Sequence, residues 1–304
     1  MTLITMAPQY VNWNYTYSCN QQCLHCYSRS PVYPEELSLE WYKDISSQIV
    51  EANVFTVGFG GGEPTLRKDL VNTVTTLSEG GVDTHLTSNG WNLSKLYLNN
   101  LMEADLGQLL ISIDSPNKSK NDKLRNNPGS FDRACTAIRM AKTVGLRTFV
   151  ASVASAENID NLAELVHLAE SLGADGINFK VFRPVGGAVL SKARFDLAEE
   201  KKLFLSTKLQ QLKESSNIEV TTYQDSAGDS CSCGVSQLTL RPNGDVSVCP
   251  YSSDTLGNLT KNKLTDLWKY NSVLLKRRKS NPLCMGNYSK SYPYNPSIEV
   301  VYSG

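Results

Sequence analysis

The sequence predicts an α/β fold built on a parallel sheet, open or curled into a partial barrel. Three observations point there. Short β-type runs alternate with helical patterns from residue 11 to about residue 182, the order expected of successive β/α units. Several of these runs are nearly all apolar, as in strands covered on both faces. The stretches between them carry apolar residues near helical spacing.

Six strand candidates follow in order: residues 11–17, 54–59, 83–87, 109–113, 148–153 and 176–182. Leu66, Leu70, Val74 and Leu77 mark one intervening helix. Leu162, Leu165, Val166, Ala169 and Leu172 mark another more cleanly. Residues 115–129 are polar and rich in Asn and Lys. They read as a solvated loop over the active face, with a substrate lid as the other reading. Ser130 is expected to N-cap the next helix. In sheets of this kind the chemistry gathers at the C-terminal strand ends.

The pattern changes after residue 183. Residues 196–215 read as a helix and 218–222 as a short strand. A hairpin follows, 235–241 and 245–249, joined by Pro242-Asn243-Gly244; Asn-Gly between two alternating runs is a strong hairpin signal. Residues 264–279 read as a helix and 298–302 as a β-type run. The expected division is a barrel at 1–195, a connecting helix and strand at 196–222, and a subdomain at 223–304.

The 304 residues balance 30 Lys and Arg against 30 Asp and Glu. Without a basic surplus, nucleic acid is excluded as the main partner. No apolar run reaches the 18 or so residues of a membrane span, and no signal peptide precedes the first strand. A cytoplasmic, membrane-free protein is expected. It has eight cysteines, of which Cys19, Cys23 and Cys26 form one group and Cys231, Cys233, Cys249 and Cys284 another. Clustered cysteines without a secretion signal point to metal binding rather than disulfides. Cys135, in a helical pattern, reads as core, and His85 and His167 read as structural.

The first group has the spacing C-x3-C-x2-C. Three thiolates fall one short of a structural zinc site; His25 or a distant residue would have to complete one. The same three can hold a [4Fe–4S] cluster with one iron left open. Gly60-Gly61-Gly62-Glu63-Pro64 follows the second strand directly. Glycines there let backbone approach a ligand closely, and Glu63 offers a carboxylate to a cation.

These motifs resemble the radical S-adenosylmethionine (SAM) superfamily from about residue 12 to 184. Its C-x3-C-x-φ-C has an aromatic φ, which here is His25. Its GGEP signature is Gly61–Pro64. Thr87–Gly90, Ile111–Asp114 and the stretch from Arg125 to Asp132 are partial matches. The resemblance implies a partial (β/α)6 TIM-type barrel, with Cys19, Cys23 and Cys26 ligating the cluster. It further implies that His25, Gly61, Gly62, Glu63, Ser112, Asp114, Ser152 and Arg183 contact SAM. The reaction expected is hydrogen abstraction by a 5′-deoxyadenosyl radical, in a site that excludes water.

The second group, with its hairpin, resembles the auxiliary-cluster extensions called SPASM and twitch. Four cysteines there imply one auxiliary [4Fe–4S] cluster, two clusters in all. Either all four ligate it, or Cys231, Cys233 and Cys284 do while Cys249 acts as a hydrogen-donating thiol. Zinc is the alternative occupant. Length and C-terminal pattern are similar to aminoglycoside epimerases, which would make the substrate a polycationic sugar and Cys249 catalytic. Asp225, Asp229 and Glu299 are then candidates for the substrate's ammonium groups. A flavodoxin or ferredoxin would supply electrons. A first strand beginning by residue 11 leaves no room before it for a peptide-recognition domain, which favours a small molecule. The remaining readings are an aminocyclitol dehydrogenase, a peptide maturase, and a non-catalytic metal-binding protein.

Overall fold

The computed structural model describes residues 7–30, 32–223, 233–234, 236–252 and 255–269. Seven strands run in parallel order: β1 (Tyr10–Thr16), β2 (Thr56–Gly61), β3 (Asp83–Ser88), β4 (Gln108–Ser112), β5 (Thr148–Ala154), β6 (Gly176–Val181) and β7 (Glu219–Tyr223). The first six match the expected strands to within a few residues. Each connection crosses over through a helix, as parallel neighbours require. The helices are α1 (Leu39–Glu51), α2 (Leu70–Glu79), α3 (Lys95–Glu103), α4 (Lys118–Arg125), α5 (Ser130–Thr143), α6 (Leu162–Ser171), α7 (Lys192–Phe195) and α8 (Glu199–Ser215). None is long and apolar enough to cross a membrane.

β4 and β5 carry buried apolar residues on both faces, with Leu110, Phe149 and Ala151 clustered apart from the main core, whereas β1 and β2 do so on one face. Val11, Trp13 and Tyr15 of β1 and Val57 and Phe59 of β2 are buried toward the helices. Their alternates, Tyr10, Asn12, Gly58 and Gly60, line a central cavity, as a period of two dictates. A Cβ on Gly58 would lie 1.8 Å from the Tyr10 hydroxyl, so the Tyr10 ring would have to move to admit one. Trp13 stacks on Tyr42 of α1 at 5.3 Å, and Tyr15 meets Phe59 edge to face at 5.1 Å. This aromatic layer fixes α1 against the strand that leads into the first cysteines.

Residues 115–129 hold a helix rather than a bare loop. The mean polarity of α4 hides it from periodicity. Asn117 caps it by accepting the Lys120 amide at 3.0 Å, and Leu124 packs against Phe182, Ala188 and Phe195. Ser130 is the first residue of α5, not its cap. The position before it is Gly129 at φ +85°, and Asp122 accepts from the Gly129 and Phe131 amides and the Ser130 hydroxyl. A carboxylate at that end also opposes the helix dipole.

The expected hairpin forms β8 (Gln237–Leu240) and β9 (Asp245–Ser247), with β10 (Gly257–Asn258) beside β9. β8 lies parallel to β1, pairing Tyr10 with Gln237 through Trp13 with Leu240. The hairpin thus extends the barrel's own sheet, an arrangement that sequence reading did not anticipate. Gly244 at φ +87° makes its turn. α9 (Leu264–Lys269) packs behind it, its Leu264 amide donating to Gln48 of α1 at 3.1 Å. The remainder of the expected 264–279 helix and the 298–302 run lie outside the described residues.

Candidate active site

A cavity of about 660 Å³ runs the length of the barrel. Its upper wall carries Cys19, Cys23, Cys26, Gly61, Gly62, Glu63, Ser88, Asn89, Ser112 and Ser152 at the C-terminal strand ends. Lower down it meets Tyr10, His85, Gln108, Asn178 and Gln237, and it ends near the Arg147–Glu219 ion pair at 2.7 Å. His85 faces this cavity and pairs with Asp83 of its own strand at 2.8 Å. Its place at every second position of β3 was the signal.

The first cysteine loop is built by its backbone. It leaves β1 at Thr16, and the Gly62 amide donates to the Thr16 carbonyl at 2.7 Å while the Glu63 amide donates to Ser18 at 2.8 Å. That approach needs glycine. Gly61 has φ +93°, and a Cβ on Gly62 would lie 2.2 Å from the Ser18 oxygen. The Ser28 hydroxyl closes the loop onto the Gly61 carbonyl at 2.7 Å. Loop and glycine turn thus form one hydrogen-bonded rim.

Glu63 is 1% exposed and surrounded by donors. Oε1 accepts from the Thr65 hydroxyl at 2.7 Å and the Ser88 hydroxyl at 2.8 Å, and Oε2 from the Asn89 amide at 2.7 Å. Burial pushes its carboxyl pKa up, and these donors oppose the shift. An ammonium group at this wall would complete its charge balance. Ser88 and Asn89, noted only as part of a partial match, turn out to orient Glu63.

Behind the cysteines lies a buried ionic cluster. Asp114 meets His25 at 3.1 Å and Arg125 at 2.7 Å, and accepts the Val153 amide at 2.8 Å. Burial works to raise its pKa, but Arg125 and then His25 outweigh it and hold the carboxyl below the usual range. Asp114 therefore orients His25 and Arg125 behind the cavity wall. Ser152 presents a buried hydroxyl without a protein partner. Arg183 follows β6 and is half-buried.

The donor set fits an iron–sulfur cluster. Among the described residues no three His, Cys, Asp or Glu side chains converge on a single-ion site; the thiols are instead arrayed along one wall. Burial pushes the Cys19 thiol up to about 11 and the Cys23 thiol up to about 12, and a metal-bound thiol would be deprotonated against that shift. The Gln21 amide donates to Cys19 sulfur at 3.4 Å and Arg125 donates to Cys23 sulfur at 3.9 Å, the N–H···S contacts that tune such clusters.

In the second group, Cys249 is buried and follows β9, with the Ser247 hydroxyl donating to its carbonyl at 3.1 Å. Cys233 is half-buried and bridges to Gln237. The hairpin reaches the first loop through aromatic contacts. Tyr251 meets Tyr27 edge to face at 5.3 Å, and the Tyr17 hydroxyl donates to Asn243 at 3.3 Å. Cys231, Cys284, Asp225, Asp229 and Glu299 lie outside the described residues. Cys135 is buried in α5, and His167 is exposed and pairs with Glu170 at 3.2 Å.

Comparison with known proteins agrees with this geometry. Residues 13–169, more than half the chain, match the model of the radical SAM superfamily, and residues 231–287 match the SPASM iron–sulfur cluster-binding domain. The mycofactocin maturase of Mycolicibacterium smegmatis is 30% identical over 81% of this chain. The match spans only 65% of that relative's own length. The AdoMet-dependent heme synthase of Methanosarcina barkeri is 24% identical over 91% of this chain and 87% of its own. Streptococcus suis SuiB, solved with its precursor peptide SuiA, superposes with a TM-score of 0.72 at 19% identity, covering 87% of this chain and 65% of SuiB; that likeness concerns the fold. The chain belongs to the radical SAM superfamily, with a [4Fe–4S] cluster and SAM as cofactors of its barrel and additional iron–sulfur in its SPASM extension.

Proposed function

We propose that this chain modifies a ribosomally made peptide by hydrogen-atom abstraction. The observation that supports it most is the 30% identity to a mycofactocin maturase over 81% of the chain, too long a stretch to be confined to the barrel, beside the likeness in fold to SuiB, solved with its precursor peptide. When bound, the cluster and SAM supply a carbon-centred radical that takes hydrogen from a nearby C–H bond. The chain's own residues arrange this. Cys19, Cys23 and Cys26 hold the cluster, and Glu63 and the Gly61–Gly62 backbone receive SAM's amino and carboxylate ends. Ser112 and Ser152 offer hydroxyls to the rest of SAM. The cavity below carries amide and hydroxyl side chains, including Asn12, Gln108, Asn178 and Thr221, suited to peptide amides. Cys231, Cys233, Cys249 and Cys284 hold auxiliary iron–sulfur, and a flavodoxin or ferredoxin delivers electrons.

A second reading is favoured by Cys249. This buried thiol lies on a rigid hairpin whose Tyr251 touches Tyr27, the neighbour of Cys26. From there it would return hydrogen to the opposite face of a substrate carbon. The thiyl left behind would be restored by one electron from the donor protein and one solvent proton. On that reading the enzyme is an epimerase of an aminoglycoside, converting neomycin C to neomycin B, with Asp225, Asp229 and Glu299 binding its ammonium groups.

One anaerobic experiment in D2O tests both readings. Reconstituted enzyme, SAM and reduced flavodoxin are supplied with short peptides encoded beside its gene, or with neomycin C. A peptide mass change accompanied by 5′-deoxyadenosine is expected. Unchanged peptides, with neomycin gaining one deuterium at an inverted carbon, would replace the first reading by the second.

A further inference from the structure

We propose that Arg125 is a positioning residue that sets the reduction potential of the cluster on the cysteine loop. The argument rests on placement. Arg125 ends α4, is 7% exposed, and brings Nη1 to 3.9 Å from Sγ of Cys23, the loop's central cysteine. Its Nη2 is held by Asp114 at 2.7 Å, and its Nε meets no hydrogen-bond partner among the described residues. The Leu24 amide, between Cys23 and His25, donates to the Leu124 carbonyl at 2.9 Å. That bond ties the cysteine loop to the last turn of α4, so the guanidinium is presented to Cys23 at a fixed position. Burial alone would lower Arg125's pKa; Asp114 and then Cys23 hold it raised. It is a permanent cation in this setting.

The physical consequence has a sign. One-electron reduction adds a negative charge to the cluster. A buried cation that hydrogen-bonds a ligand sulfur stabilises that added charge, because burial weakens screening. Asp114 acts in the opposite direction: its carboxylate, on the far side of the guanidinium, partly cancels the cation. The pair sets the potential as a difference between two opposed charges. Removing either one shifts it, in opposite directions.

The test is an EPR-monitored dithionite titration of reconstituted holoenzyme, following the signal that changes when SAM is added. Arg125→Gln should move the midpoint to more negative potential. Asp114→Asn should move it to more positive potential. Arg125→Lys, which keeps charge but loses the fork, should fall between wild type and Arg125→Gln. If Arg125→Gln fails to hold iron, the lysine and asparagine variants decide the matter. Potentials equal to wild type, or shifts of one sign in the Arg125 and Asp114 variants alike, would overturn the proposal. A purely structural role would change iron content without this opposition of sign.

Discussion

The two cysteine regions are built on different physical plans. The first is a short loop held by backbone and buried polar contacts: Gly62 to Thr16, Glu63 to Ser18, Leu24 to Leu124, and the Asp114 cluster behind it. The second is carried by a hairpin that gains its position from apolar packing, with Leu238, Leu240, Val246, Leu259, Leu267 and Trp268 buried against the barrel and α1. Polar contacts are directional and specify atoms to within a fraction of an ångström. Apolar packing specifies shape but tolerates exchange of volume-matched side chains. A site that must chelate one cofactor the same way in every member suits the first plan. A module that differs among relatives suits the second.

Four substitutions probe that contrast, from the largest effect downward. Cys23→Ala should remove the barrel cluster and reduce 5′-deoxyadenosine formation to background, read by iron content and product assay. Gly62→Ala comes next. Its Cβ would meet the Ser18 oxygen at 2.2 Å, so the rim must open. SAM affinity should fall by about tenfold or more, equivalent to at least about 1.4 kcal/mol, by calorimetry. If Gly62→Ala binds SAM normally, the rigid-rim description is wrong. Cys233→Ala should lower iron to the barrel's share while SAM cleavage continues. Loss of cleavage as well would show the two regions to be interdependent rather than separately built.

The smallest effect belongs to the support of the loop over the barrel mouth. Asp122→Ala should cost about 1 kcal/mol, the usual range for a lost helix cap, by denaturant unfolding. The donors on Phe131, Gly129 and Ser130 outweigh burial and hold the Asp122 pKa below its ordinary 3.8. Its contribution is therefore present above that value and fades as pH falls toward the lowered one. The alanine variant should lack this acid-side loss, and an identical pH profile would remove Asp122 from the capping role.

Much of the barrel was readable from the chain because its outer strand faces are apolar and its helices periodic. What escaped has common physical causes. α4 was hidden because it rests on a local cap, Asn117 to the Lys120 amide, and on Asp122 and Arg125, polar residues whose partners lie outside the helix. The cavity-facing alternation was masked where glycine fills the inward positions, as at Gly58 and Gly60. The cysteine triplet and Gly61–Glu63 could be recognised because chelation and close approach dictate residue type at fixed spacing. The roles of Ser88, Asn89 and Arg125 could not, because a hydrogen bond to Glu63 or a sulfur leaves no spacing rule in the sequence.

The parallel pairing of β8 with β1 has a consequence for how the molecule comes into being. β1 is made before β2 through β7, yet one of its two strand neighbours, β8, follows all of them in the chain. Until then its outer edge has open amides and carbonyls, a template for unwanted pairing. Closing so long a loop is entropically slow. The cysteine loop that follows β1 is thus tied to a strand made only after the other parallel strands. Chains halted before Gln237 should aggregate, and iron loading in the cell should depend on the hairpin being present, because β8 completes the pairing of β1.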